Sequence, residues 1–349
     1  MNELIIKTAG KKFSGWEEVT ISKSMDDLAH SFDITLTDKW NANDEPIYFH
    51  VGLGVQIFID DEKIITGYID DISREYSDSS RRINIAGRSK TADLVDCSAI
   101  YQKGQWRGQT LSKIAKDLCQ PLDISTSVAS GIDVSSSLRR FSIEDGETIF
   151  DCISRAAKMA GVLLLTDVNG NLYFDRVSST RIKTVLENGI NILNGSKTSS
   201  MSDRYTDYTI KTQLAGDDTT YAAATSKTKT ASDSGFVGAR YRPLIITAEN
   251  ESSGNELQKR IDWEKNIRAG KSHRVSYTVQ GWKHSTGTWA PNTLVRVKDP
   301  DFELDDELLI KSVQLTKNSQ GTLASLELTF PQAYSVEPLP QQKIKGLLA

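Results

Sequence analysis

Six carboxylates crowd one stretch near the C-terminus: Asp299, Asp301, Glu303, Asp305, Asp306 and Glu307. Were the segment extended, alternation would set 299, 301, 303, 305 and 307 on one face, a row of hard oxygen ligands suited to a divalent cation. A calcium loop, however, needs glycine at its sixth position and a bidentate glutamate at its twelfth. Counted from Asp299, those positions hold Leu304 and Ile310. The expected state is a solvated acidic loop facing a channel. The four histidines, His30, His50, His273 and His284, are scattered, and ordinary surface or strand positions explain them better than a metal pair. Asp70–Asp71 could serve a glycosidase, but neighbours on a strand point to opposite faces. Glycosidase carboxylates must converge across a bond at roughly 5 to 10 Å, which only acids distant in sequence could still do here. Trp282 and Trp289 flank a Lys-His-Ser-Thr-Gly-Thr loop and could stack on sugar; packing in a core or interface is the plainer role. Gly52–Leu53–Gly54 lacks a third glycine and feeds a strand, so it is no phosphate loop. No nucleophile elbow, GKS/GKT loop or HExxH occurs. No catalytic, cofactor-binding or metal residue is assigned.

The elements that would position any site are mostly strands. In Gly54–Gly87, Val55, Ile57 and Ile59 alternate with polar or outward-facing neighbours, Asp60–Glu62 breaks the run, and Ile64–Ile72 leads through Ser77–Ser80 into Ile83–Ile85. This is a three-strand antiparallel meander. The same grammar returns with Val295 and Val297, an acidic break, then Leu308, Ile310 and Val313, a Lys317–Gly321 tip, and Leu326, Leu328 and Phe330. Comparing the two meanders sets Val55 against Val295 and Ile69 against Val313. They suggest an internal duplication, although any two β-meanders look alike at this resolution. Strands are also expected at Leu4–Lys7, Trp16–Ser22, Phe32–Thr37, Tyr205–Lys211 and Arg274–Gln280, with a polar loop at Trp40–Pro46 and turns at Asn188–Gly189 and Asn194–Gly195.

Between the β regions the texture is mixed. Lys90–Cys97 reads as a short helix. Thr110 caps a second, with Leu111, Ile114, Ala115 and Leu118 on one face and Pro121 beyond its end. A third starts from an Asp145 cap, with Glu147 in its first turn, a stripe of Ile149, Ile153, Ala156, Ala157 and Ala160, and Gly161 as its stop. Val162–Leu165 and Leu172–Phe174 form a hairpin about Asn169–Gly170. Ala215–Ala239 is polar and rich in small residues, which suits a loop or arm that orders only against a neighbour. Ser253 and Glu256 make a capping box for a helix to about Gly270, with Leu257, Ile261, Glu264 and Ile267 near one face and Trp263 beside it.

A chain of 349 residues suits about two or three domains and needs no disulfide or metal staple. Its 42 basic and 46 acidic residues, net charge −4, argue against general nucleic-acid binding. Cys97, Cys119 and Cys152 lack CxxC spacing, and the last two are expected as buried thiols. Leu4–Ile6 is too short for a signal peptide's apolar core, and no run approaches a membrane span. The chain is expected to be made and kept in the cytoplasm unless other machinery exports it.

Ile85–Leu122 (IAGRSKTADLVDCSAIYQKGQWRGQTLSKIAKDLCQPL), the opening FSGWEEVTISKSMDDLAHSF and the later RYRPLIITAE closely resemble the baseplate hub proteins of bacteriophage Mu and Mu-like prophages, in order, over nearly the whole chain. The resemblance implies a virion structural protein of a contractile tail, not an enzyme, built in the host cytoplasm. It implies a homotrimer with two β-barrels per subunit, giving a pseudo-sixfold ring that adapts a sixfold tail tube to a threefold spike. The implied partners are tube, spike and other baseplate proteins, with transient proximity to the host envelope. DNA would pass through the lumen without specific binding. The expected fold is α+β, mainly β. Its parts are a first barrel at 1–90, a small α/β domain at 91–178, and a second barrel at 179–214 with 272–335. A helix-containing insertion occupies 215–271, and a tail 336–349. A tail-borne cell-wall hydrolase and a carbohydrate-binding module are the alternatives. No cofactor is expected.

Overall fold

The computed structural model describes residues 3–37, 49–78, 81–212, 227–235, 240–248 and 254–334. Trp40–Pro46, Ser253, most of Ala215–Ala239 and the tail from Val336 lie outside them. The N-terminal region holds β1 (Leu4–Thr8), β2 (Lys11–Phe13), β3 (Glu18–Ser24), β4 (Ser31–Thr37), β5 (Gly54–Ile59), β6 (Glu62–Tyr76) and β7 (Arg81–Ser89). Period-two alternation decides their faces. Val55, Ile57 and Ile59 of β5 and Ile83 and Ile85 of β7 are buried, with their neighbours, Gln56, Phe58 and Asn84 among them, on the other face and less buried. β6 and β7 approach so closely that a Cβ on Gly67 would lie 1.8 Å from the Arg88 carbonyl oxygen, and one on Gly87 2.1 Å from that of Tyr68.

The small α/β unit comprises α1 (Ala92–Asp96), β8 (Gln105–Thr110), α2 (Leu111–Cys119), β9 (Thr126–Val128), β10 (Ser137–Ser142), α3 (Ile149–Ala160), β11 (Leu163–Thr166) and β12 (Leu172–Asp175). Thr110 caps α2 as its position suggested, its hydroxyl accepting from the Lys113 N–H. For α3 the expected Asp145 cap is displaced to Thr148. Its hydroxyl accepts from the Asp151 N–H at 3.1 Å and donates to the Asp151 carboxylate at 2.8 Å. Glu147 thus lies outside the helix and grips Arg155 at 2.7 Å. Gly161 ends α3 with φ 65°, where a side chain would strain the backbone.

The remainder is β13 (Leu186–Glu187), β14 (Ile192–Ser199), β15 (Asp207–Thr212), β16 (Lys227–Ser232), β17 (Pro243–Thr247), α4 (Gly254–Lys271), β18 (His273–Gln280), β19 (Lys283–His284), β20 (Gly287–Thr288), β21 (Thr293–Asp299), β22 (Leu304–Asn318) and β23 (Gly321–Thr329). Three expectations change here. Within Ala215–Ala239, expected as a loop or arm ordered only by a neighbour, Lys227–Ser232 form a strand, β16, of this chain's own sheet. Asn194–Gly195 is no turn but lies within β14, beside a bulge against β18. β15 does not join the C-terminal β region. It pairs antiparallel with β16 and parallel with β17 and packs on α4, so Tyr208, Ile210, Leu257 and Ile261 form a separate core. Arg204 and Asp233, both buried, clasp this unit with two hydrogen bonds of 2.7 and 3.0 Å.

The fold is mainly β, and among the described residues its largest sheet has 13 strands. Five N-terminal strands run β3-β4-β7-β6-β5, and five C-terminal strands run β14-β18-β23-β22-β21. The order is the same. The dimensions of the meanders agree to within one residue, 6, 15 and 9 residues for β5, β6 and β7 against 7, 15 and 9 for β21, β22 and β23. Even the irregularities correspond: a bulge falls between Ile69 and Asp71 in β6 and between Ile310 and Ser312 in β22. Counted along the ladders, Val55 matches Val295, but Ile69 matches Ile310, and it is Ile72 that matches Val313. The two β regions are fused rather than separate, because β22 also pairs with β3, and one hydrophobic core runs beneath both.

Candidate functional site

The seam between the repeated units is where the chain's two halves become one body. β3 contributes Val19 and Ile21 and β22 contributes Val313 and Leu315, all at most 2% exposed. Their ladder runs from Ser24–Ser312 to Val19–Lys317. At its end the bulged Lys311 accepts a backbone bond from the Met25 N–H and sends its ammonium to Asp26 at 3.1 Å and Glu327 at 3.3 Å. Tyr334 donates to Asp26 at 2.6 Å, and Arg274 reaches Glu327 at 2.6 Å. Burial alone would raise the Asp26 pKa, but the Tyr334 hydrogen bond and the Lys271 and Lys311 charges outweigh it and hold the carboxyl below its ordinary value.

A second clamp joins the units at the acidic break of the first meander. Asp60 is ion-paired with Lys283, and Glu62 accepts from the Thr288 hydroxyl at 2.7 Å and its N–H at 3.2 Å. Deeper in, burial pushes the Lys23 ammonium down to about 8 and His30 down to about 3, the Lys23 charge adding to the latter. The small α/β unit is tied on at two places: Leu28 O accepts from Thr91 at 2.8 Å and Thr166 at 2.7 Å, the Leu28 side chain entering that unit's core, and β6 donates from Thr66 to Val168 O at 2.9 Å and from Lys63 to Asn169 at 3.0 Å.

Three stretches of the chain match known protein families. Residues 3–89 match a family described as Mu phage baseplate assembly protein GpP-like, N-terminal; residues 91–176, baseplate hub protein gp44-like, second domain; residues 253–337, Mu phage baseplate assembly protein GpP, fourth domain. Baseplate hub protein gp44 of Escherichia phage Mu is 30% identical over 98% of this chain and 91% of its own length. The chain belongs to the Mu baseplate hub family. Among solved structures, the 43 kDa tail protein of prophage MuSo2 from Shewanella oneidensis superposes with a TM-score of 0.83 at 37% identity, covering 95% of this chain and all of that one (100%). A tail protein from Neisseria meningitidis shares the fold, with a TM-score of 0.81 at 22% identity over 95% of this chain and 99% of its own.

In this hub-family chain, the residues singled out from the sequence are engaged elsewhere than in one site. The acidic run does not form a row, because a 3-10 turn at Pro300–Phe302 and left-handed Glu303 (φ 53°) break the extension. Nor is it wholly solvated. Asp299 is 2% exposed and accepts from the Tyr277 hydroxyl at 2.8 Å and from Asn188 at 3.0 Å. Asp305 pairs with Arg296 and Glu307 with Arg181. Among the described residues no three His, Cys, Asp or Glu side chains gather to hold a metal. His30 and His273 are buried, His284 packs edge-on against Trp289, and His50 is exposed. Asp70 shares Arg88 with Asp96, at 2.7 and 2.6 Å, so both carboxylates are held in ion pairs on one guanidinium. Trp282 and Trp289 are core residues, 0% and 3% exposed, Trp282 donating to Thr316 O at 2.9 Å. Cys119 and Cys152 are buried free thiols, pushed by burial up to about 12. Sequence reasoning missed the seam itself. Its signal was present in the alternation of Val19, Ile21, Val313 and Leu315, but partners nearly a chain length apart cannot be matched by pattern alone.

Proposed function

We propose that this chain is a structural, non-enzymatic baseplate hub of a contractile phage tail, acting as a homotrimer. In that ring the N-terminal five-strand unit and its C-terminal repeat serve as two barrels per subunit, so three chains present six near-equivalent edges. One side of the ring then meets a sixfold tail tube and the other a threefold spike, resolving the mismatch within a single polypeptide. The small α/β unit and the insertion about α4 decorate the ring, and the assembly belongs in the virion tail after synthesis in the host cytoplasm. The repeated strand order, fused through the seam, is the observation that carries this reading; family membership supports it. With net charge −4, the lumen is expected to be neutral or acidic, so that DNA passes without sticking. Light scattering coupled to size exclusion tests the oligomeric state at micromolar concentration. Three times the chain mass is expected, and a stable monomer or dimer would contradict the proposal.

A further inference from the structure

The seam inside the chain sets an edge geometry that the repeated strand order offers a second time. β22 offers one edge to β21 up to Ile310 and, past the bulge, to β3 from Ser312 onward. β6 offers the matching edge to β5 up to Tyr68, and Ile69 still bonds Leu53. Past the bulge, among the described residues, no strand takes the edge of residues 71–76. β14, which occupies in the C-terminal unit the place β3 holds in the N-terminal one, ends the sheet order with its outer edge equally without a described strand.

We propose that β14 of one subunit adds antiparallel to residues 71–76 of β6 in the next, a pairing that rests on the trimeric ring reading above. Each chain would then carry the same edge contact twice, once within itself and once with its neighbour, and three chains would close six. The intrachain register transfers directly. Lys23–Val313 becomes Ser199–Ile72, Ser22–Gln314 becomes Thr198–Ser73, Thr20–Thr316 becomes Ser196–Glu75, and Val19–Lys317 becomes Gly195–Tyr76.

The chemistry of the two edges agrees. β14 (ILNGSKTS) is polar and mostly exposed, so its free edge offers backbone hydrogen bonds rather than apolar side chains, as strand addition requires. Tyr76 is 88% exposed, and the transferred register lays it beside Gly195. The unfavourable neighbour pair is Arg74 and Lys197, and the Lys197 ammonium is anchored within its own chain on Phe302 O at 2.7 Å.

Paired cysteines test the register in the full-length protein, in a Cys97→Ser background because the other two thiols are buried. Glu75→Cys with Ser196→Cys sets one thiol per chain on each side of the contact. Glu75→Cys with Thr198→Cys keeps the same face but displaces it by two residues. Each variant is oxidised with diamide, run without reductant, and weighed in parallel by light scattering. The expected result is a trimer whose in-register pair converts to covalent dimers and trimers while the displaced pair stays monomeric on the gel. A trimer in which the in-register pair links no better than the displaced one overturns this contact and leaves the ring intact. A monomer by scattering overturns both.

Discussion

The same strand position meets opposite fates in the two halves of the chain. In the N-terminal unit β3 is covered by β22, and its Val19 and Ile21 are fully buried. In the C-terminal unit the corresponding strand, β14, carries Gly195 and Lys197 at those positions and lies mostly exposed. β22 beyond its bulge buries Val313 and Leu315, whereas β6 beyond its own bulge exposes Arg74, Glu75 and Tyr76. One ladder geometry therefore holds two chemistries: an apolar one where the contact forms with folding, and a polar one where the edge must stay soluble until a partner arrives. Obligate contacts within a chain tolerate hydrophobic side chains that a free edge cannot.

The contrast can be broken hardest at Leu315. Leu315→Ala leaves a cavity under the seam and should cost about 2–5 kcal/mol in denaturant unfolding. An unchanged midpoint would mean that the seam is not part of the cooperative core. Acid should act next. His30 is buried and its pKa is depressed to about 3, so its contribution is complete above the unfolded value near 6.5 and is lost as pH falls toward 3. The loss should be on the order of 1.4 kcal/mol per pH unit, and His30→Asn should flatten the stability profile in that window. Asp26, whose carboxyl is held low, works in the same direction below the usual carboxylate range. Breaking its clamp with Asp26→Asn should cost about 1 kcal/mol, measured by thermal unfolding at neutral pH. Thr148→Ala, which removes the α3 cap, should cost about 1 kcal/mol and leave the seam's hydrogen-exchange protection unchanged. The smallest effect falls on the open edge: Tyr76→Ala should alter chain stability by less than about 0.5 kcal/mol while weakening trimer formation on dilution.

How much of this was legible in the sequence depended on range. Period-two alternation located both meanders, and Thr110 and Gly161 marked helix ends, because these signals are set by neighbours a few residues apart. Local chemistry misled where tertiary pairing overrode it. Asn194–Gly195 reads as a turn, yet β18 holds it in a strand; Asp145 reads as a cap, yet Thr148 supplies a hydroxyl with better reach. The acidic run looked like a ligand row only under an assumption of extended backbone that Pro300 prevents. The pairings of β22 with β3 and of β15 with β16 and β17 had no local signature at all.

The proposed adaptor role requires that three chains present six like edges. Electron-microscopic class averages of the purified assembly, viewed down its axis, test this most directly. Six lobes of nearly equal size around a central opening, alternating in detail with threefold symmetry, are predicted; a particle with only three lobes, or with twofold symmetry, would contradict it.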